Sequence, residues 1–596
     1  MSGRVFIEHQ VRTVESLEGL WDLFVPAKGS TLNPLRLAGA RHFLLPVPGV
    51  WETLIGLENY RGQAVARRRF STPSSSYARL VFRGVSHTAR VYLDGCLVGQ
   101  HHNAFTPFAV DLPALKAGSH ELLVHISNEH GALSALHVPN DYYNYGGLNR
   151  PVELQYLRGS SYIRFVHFTP ECPNPAAGRE ARWSAGVQAE IVNLGPAVRT
   201  ALDVKVAGAT LAFPQRTLRP GVTVLSGRMA FARVTPWDWL NPRLYSLTAH
   251  LMQDGAIADD LIDRVGFRTV KTAGRKILLN GRPTFLFGFN RHEDTALHGC
   301  AQTFDVIHHD IALMRDLGVN AVRTSHYPND QRFLDLCDEH GIMVWEESHA
   351  RGLDDARMAH PCFRDQCRQC IAEMIGWHHN HPSIVLWGIL NECASHTPAG
   401  RKHYAEQFRQ IRSLDRSRPT TFASFRHGKD LCQDLPDVCG WNWYHNWYAQ
   451  IPVADANRDA LRVLDATPAG RKPIIASEFG GEGLYGFRDP NRRAKWSEDR
   501  QADILDECLS VYLDHPRFSG AFIWQFGDVR VDESIATTRA RCMNNKGVVD
   551  EYRRPKLGYE IVKRYFHAMR RQLGGTLRQQ TRIPARATRV AEPPET

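Results

Sequence analysis

The stretch Ile384-Val385-Leu386-Trp387-Gly388-Ile389-Leu390-Asn391-Glu392 constrains the fold of this 596-residue chain more than any other. A continuous apolar, β-branched run of this length reads as a strand buried on both faces, as in a parallel sheet. It stops abruptly at an amide and a carboxylate. Side chains at the carboxyl end of such a strand stand where a (β/α)8 barrel gathers its chemistry. A second stretch, Pro473-Ile474-Ile475-Ala476-Ser477-Glu478-Phe479-Gly480, has the same form and also delivers one carboxylate. For either glutamate alone, a charged residue where a strand meets water is the bland alternative. The recurrence of the form, with the residues around it, favours a site.

The flanking periodicity supports a barrel. After Gly266-Phe267-Arg268, Ile307, Ile311 and Met314 give a helical stripe closed by Leu317-Gly318, and Asn320-Ala321-Val322-Arg323 follows as a strand. A helix over 331–340, with Gly341 as its stop, a strand over 342–345 and a helix over 363–377 then lead into the Ile384 strand. Tyr404, Phe408, Ile411 and Leu414 mark another amphipathic helix, and the last repeat has a helix over 499–513 and a strand over 522–526. Such strand–helix units predict a (β/α)8 barrel over 269–573.

The chain is too long for one core. Residues 1–158 show short alternating strands between turn residues, which predict a β-sandwich. Asp94-Gly95 there supplies the positive φ angles of a type I′ hairpin. The segment 140–150, aromatic and polar, reads equally as a ligand-contacting loop or a glycine-turned connection. Over 159–268, alternation at Val187, Ala189 and Ile191, then Leu202, Val204 and Val206, fits an immunoglobulin-like sandwich. From 574 to 596, Arg, Gln, Thr and Pro dominate and predict a mobile tail.

Composition narrows the function classes. The net charge of +10 is modest for this length, and much of the excess lies in C-terminal arginines such as Arg570, Arg571 and Arg578, so no nucleic-acid surface is expected. There is no signal-peptide h-region and no run long enough to cross a membrane, so a cytoplasmic protein is expected. The 12 cysteines are scattered, and the Cys367/Cys370 pair lacks the partners of a zinc site. His308-His309 and His378-His379 lack a third ligand at metal spacing. Neither metal nor cofactor is expected.

Gly288-Phe289-Asn290-Arg291-His292-Glu293-Asp294, Arg323-Thr324-Ser325-His326-Tyr327-Pro328 and Asn391-Glu392 resemble glycoside hydrolase family 2 across almost the whole chain. Within it, Arg-His-Glu-Asp is similar to the β-glucuronidases. The resemblance implies a jelly-roll sandwich, an immunoglobulin-like sandwich, a catalytic (β/α)8 barrel and a retaining mechanism. In that mechanism one carboxyl protonates the leaving oxygen while the other attacks the anomeric carbon. By the family's pattern Glu392 is the acid/base and Glu478 the nucleophile, with Tyr444 as hydrogen-bond partner of the nucleophile. Glu392 is then expected to carry a raised pKa, and Glu478 to stay ionised.

The same resemblance implies sugar contacts from Asp141, His326, Asn391, Tyr448 and Trp524, and a uronate clamp from Asn544 and Lys546. A lysine in a pocket makes a charge-assisted contact to a carboxylate that a neutral hexose lacks. The sequence departs from the family at Leu390, Cys393 and Trp443, and in the length of the loop before Asn544. Arg351, Arg539 and Arg541 are therefore all candidates for the sugar carboxylate, and an extra arginine suits a galacturonide. The expected activity is a β-D-glucuronidase acting on a small-molecule uronide, followed by a β-galacturonidase, a β-galactosidase and a non-catalytic carbohydrate-binding protein. Homo-oligomers occur in the family.

Overall fold

The structure, a computed structural model, describes residues 3–581. Eight parallel strands close into a barrel: β1 (Leu286–Asn290), β2 (Ala321–Thr324), β3 (Met343–Glu347), β4 (Ile384–Ile389), β5 (Thr420–Ser424), β6 (Val438–Asn442), β7 (Ile474–Phe479) and β8 (Phe518–Ile523). Every residue of these strands is buried, which is why they read as apolar runs without alternation. One set of side chains fills the barrel interior, including Leu286, Met343, Trp345, Leu386, Ile475 and Phe522. The other set faces the surrounding helices, where Ile307, Ile311, Phe408 and Leu505 pack. Gly288 is required by close approach, because a Cβ there would lie 1.8 Å from the Ala321 carbonyl oxygen on the neighbouring strand.

Most of the expected elements are found, with shifted ends. The helix Gln331–His340 stops at Gly341 in the left-handed conformation (φ 70°). The strand expected over 522–526 is instead Phe518–Ile523, so Trp524 is the first residue beyond it. The helix Leu557–Thr581 runs past Gly574, where a tail was expected to begin, and the rest of that expected tail, 582–596, lies outside the described residues.

Ahead of the barrel lie two sandwiches. In the first, a four-stranded and a six-stranded sheet enclose a core that includes Trp21, Leu80, Val91 and Leu154. Its hairpin turns at Asp94 (φ 49°) and Gly95 (φ 80°), as a type I′ turn requires. In the second, a three-stranded and a four-stranded sheet enclose Trp183, Val187, Val204 and Phe267.

The first sandwich is fastened to the barrel by buried contacts. Arg150 donates to Glu293 Oε2 and to the Pro328 carbonyl, each at 2.8 Å, and Phe105 stacks on Tyr327 at 3.6 Å. Tyr142 OH lies 3.0 Å from His349 Nε2. The segment 140–150 is thereby laid across the carboxyl end of the barrel.

Phe522 is fully buried in the barrel interior. Phe522→Ala should cost about 3–5 kcal/mol of barrel stability in urea unfolding, through lost contacts and an uncollapsed cavity. A loss under about 1 kcal/mol would mean that the interior repacks freely.

Candidate active site

Strand β4 ends at Ile389, and the chain then turns sharply to present Asn391 and Glu392. Leu390 (φ 43°) and Glu392 (φ 53°) both adopt left-handed backbone conformations, which cost side-chain-bearing residues about 1–3 kcal/mol each. Neighbouring elements hold the turn in place. Asn391 N–H donates to the Ala350 carbonyl (3.0 Å), Gly352 N–H to the Asn391 carbonyl (2.9 Å) and Glu392 N–H to the Ala423 carbonyl (3.0 Å). Tyr404 OH donates to the Leu390 carbonyl at 3.0 Å.

Glu478 arrives from β7. Its Oε1 accepts from Arg323 Nη1 and its Oε2 from Tyr444 OH, both at 2.8 Å. Arg323 also makes a two-pronged contact with Glu347 (2.9 and 3.0 Å) and donates to Asn391 Oδ1 (2.8 Å) and Asn290 Oδ1 (3.0 Å). Asn442 Nδ2 donates to Glu392 Oε1 (2.9 Å), and its own Oδ1 accepts from Ser477 OH (2.8 Å). Register shifts in the β6–β7 and β7–β8 ladders, at Trp441/Asn442 and Ala476/Phe479, aim Asn442 and Glu478 at the mouth.

Electrostatics correct one expectation. Burial, reinforced by the Glu392 carboxylate, pushes Glu478 up to about 7, against the pull of Arg323 and Tyr444. Glu478 is therefore not the firmly ionised group expected, because two carboxylates face each other where water is scarce. Burial and the Glu478 charge raise Tyr444 far above its usual range, so it stays protonated and donates.

Glu392 and Glu478 line a cavity of about 380 Å³ together with Asp141, Arg351, Tyr444, Tyr448, Trp524, Asn544 and Lys546. His326 and Asn391 adjoin these lining residues, His326 beside Trp524 and Asn391 immediately before Glu392. His326 Nδ1 lies 2.7 Å from Glu347 Oε1, its ring stacks on Trp524 at 5.0 Å, and its Nε2, 3.9 Å from Glu478 Oε1, has no hydrogen-bond partner. Burial, then Arg323, pushes its pKa well down, so the ring is neutral and Nε2 is an acceptor. Asn391 Nδ2 and both amide atoms of Asn544 are likewise buried without a protein partner. Unpaired buried polar atoms of this kind are costly unless a ligand engages them.

The cations form a chain of alternating charge. Arg351 lies 3.6 Å from Glu392 Oε2 and 3.3 Å from Asp141 Oδ2. Arg539 holds both oxygens of Asp141 at 2.9 Å and reaches Glu482 Oε1 at 2.9 Å, which also accepts from Lys546 Nζ at 3.1 Å. Against burial, Arg351 and Arg539 keep Asp141 below the usual carboxylate range, and Lys546 does the same for Glu482. Arg541 is turned away and pairs with Glu551.

Sequence reasoning missed Glu347, Glu482 and Asn442. Glu347 ends β3 as Glu478 ends its strand region, so the same signal was present. Glu482 carries none, since it follows Glu478 in a glycine loop and faces Lys546 only through folding.

Residues 270–571 match the family model described as glycosyl hydrolases family 2, TIM barrel domain. A β-galacturonidase from Eisenbergiella tayi, solved with galacturonate bound, is 42% identical and superposes with a TM-score of 0.89 over 95% of this chain and 99% of that one. A Bifidobacterium dentium β-glucuronidase, complexed with coumarin-3-O-glucuronide, is 26% identical with a TM-score of 0.84 over 94% and 98%. The β-glucuronidase of Streptococcus agalactiae is 26% identical, over 82% of this chain and 84% of its own.

Because burial sets Glu478 at about 7, kcat/KM for any substrate needing its carboxylate should fall as pH drops through that value. Tyr444→Phe removes a donor that favours the charged form, so it should move this acid limb to higher pH. An unmoved limb would show that a different group titrates there.

Proposed function

The chain belongs to glycoside hydrolase family 2, and from that premise we propose that it is a retaining exo-β-uronidase whose preferred substrates are β-D-galacturonides. The observation that carries the sugar choice is its likeness, over nearly the full length of both chains, to a β-galacturonidase. The geometry fits. Arg351 joins Asp141 to Glu392, which adds a guanidinium beside the acid/base in addition to the Asn544/Lys546 pair. The curated β-glucuronidase relatives favour a second reading, the C4-epimeric glucuronide.

In this reading Glu478, held by Arg323 and Tyr444, attacks the anomeric carbon, while Glu392 protonates the glycosidic oxygen. The bond to the aglycone breaks and a glycosyl ester forms on Glu478. Glu392, now a carboxylate, takes a proton from water as the water attacks that ester, and both carboxyls return to their starting states. Asn391 Nδ2, unpaired in the protein, is available to the sugar 2-hydroxyl, and the acceptor Nε2 of His326 to another hydroxyl. The uronate carboxylate is taken by Asn544 and Lys546. Glu482 holds Lys546 nearby, so the ammonium is oriented before substrate arrives.

The test is kcat/KM for the nitrophenyl β-galacturonide, β-glucuronide and β-galactoside. The galacturonide should rank first. Lys546→Ala should lower the uronide values about 10–100-fold while changing the galactoside little. Glu478→Gln should lower all of them at least about 10³-fold. A galactoside preference indifferent to Lys546→Ala would sink the uronidase reading, and a glucuronide preference would replace the sugar.

A further inference from the structure

The two oxygens of Glu392 stand in different surroundings. Oε1 accepts from Asn442 Nδ2 at 2.9 Å, whereas Oε2 is approached by Arg351 at 3.6 Å, beyond hydrogen-bond reach. Asn442 ends β6, lines the cavity and is almost wholly buried. Its backbone is tied to the neighbouring strand, because the Trp443 N–H donates to the Glu478 carbonyl at 2.7 Å. An asparagine at this place meets one carboxylate through its side chain and the other through its main chain.

The orientation of the Asn442 amide is dictated from outside it. Arg323 carries donors only, so the Asn391 atom 2.8 Å from its Nη2 must be the carbonyl oxygen Oδ1. Asn442 lies 3.3 Å from that same oxygen and so faces it with its NH2 group. The NH2 is shared between Asn391 Oδ1 and Glu392 Oε1, and Asn442 Oδ1 is turned the other way. There it accepts from the Ser477 hydroxyl at 2.8 Å. Ser477 is fully buried on β7, one residue before Glu478, and its carbonyl accepts from Asn290 Nδ2 at 2.8 Å. One donor-only guanidinium thus sets two amides in series. Flipping Asn391 would put donor against donor, and flipping Asn442 would put its oxygen against two other acceptors.

Resting on the reading of Glu392 as the acid/base, we propose that Asn442 is a positioning residue for it, with Ser477 as its brace. The Asn442 NH2 can only donate, so Oε1 presents no proton to it, and the proton that Glu392 transfers is confined to Oε2. When that proton passes to the glycosidic oxygen, the bond from this oxygen to the anomeric carbon breaks. The bonding pair leaves with the aglycone oxygen, which the proton neutralises. The negative charge left on Glu392 spreads onto Oε1, where the Asn442 contact becomes charge-assisted. The contact is stronger after the transfer than before it, so it lowers the barrier in proportion to how far the proton moves. Bond breaking that needs no proton gains nothing from it.

The test is kcat/KM for the dinitrophenyl, nitrophenyl and unsubstituted phenyl β-uronides of the sugar that the wild type prefers. The three leaving groups need increasing help from a proton. Asn442→Ala should lose about tenfold or more on the phenyl uronide, less on the nitrophenyl, and stay within about twofold on the dinitrophenyl. Ser477→Ala keeps Asn442 but frees its amide, and should show the same gradient at about threefold on the phenyl uronide; it decides the case if Asn442→Ala does not fold. A loss equal across the three substrates would mean that Asn442 only supports the fold of the site, and would overturn the proposal, as would no loss at all. Glu392→Ala, assayed beside them, should give the steepest gradient. A level loss in Glu392→Ala would sink the acid/base reading and the proposal with it, whereas a gradient there without one in Asn442→Ala would sink the proposal alone.

Discussion

A single buried guanidinium ties the site together. Arg323 ends β2, is fully buried, lies 4.6 Å from the Trp345 ring, and bonds Glu347, Glu478, Asn391 and Asn290 at once. It therefore couples the ends of β1, β2, β3, β7 and the turn after β4. Removing one partner of such a cluster leaves an uncompensated buried charge, which costs about 3–5 kcal/mol. The same cation competes with burial over Glu478 and with it sets how readily that carboxylate ionises.

The barrel alone would leave the mouth open on one side. The first sandwich closes it with Asn140 and Asp141, anchored through Arg150, Phe105 and Tyr142. Asp141 then orders Arg351 and Arg539, and Glu482 orders Arg539 and Lys546. Each cation is countered by a carboxylate, so the site concentrates positive charge without leaving it uncompensated in a low-dielectric cavity.

Glu392 and Glu478 stood out because each follows or ends a buried apolar strand that stops in a polar residue, whereas Tyr444 was named only because its segment resembles the family's. Glu482 and Asn442 did not stand out, since neither spacing nor residue type distinguishes them from surface residues. His326 and Asn391 were named for sugar contact from the family resemblance, and folding brings both to the carboxyl end of the barrel, each with one polar atom, His326 Nε2 and Asn391 Nδ2, left without a hydrogen-bond partner.

The sequence by itself determined the barrel, the two sandwiches before it and the pair of carboxylates, because burial on both faces and period-two alternation leave a direct imprint on residue order. Tertiary structure alone decided which carboxylate is pushed up, which arginine faces the cavity and what lies opposite Glu392. Those depend on distances between residues far apart in the chain, and electrostatic energies vary with distance and burial in a way that no local pattern encodes.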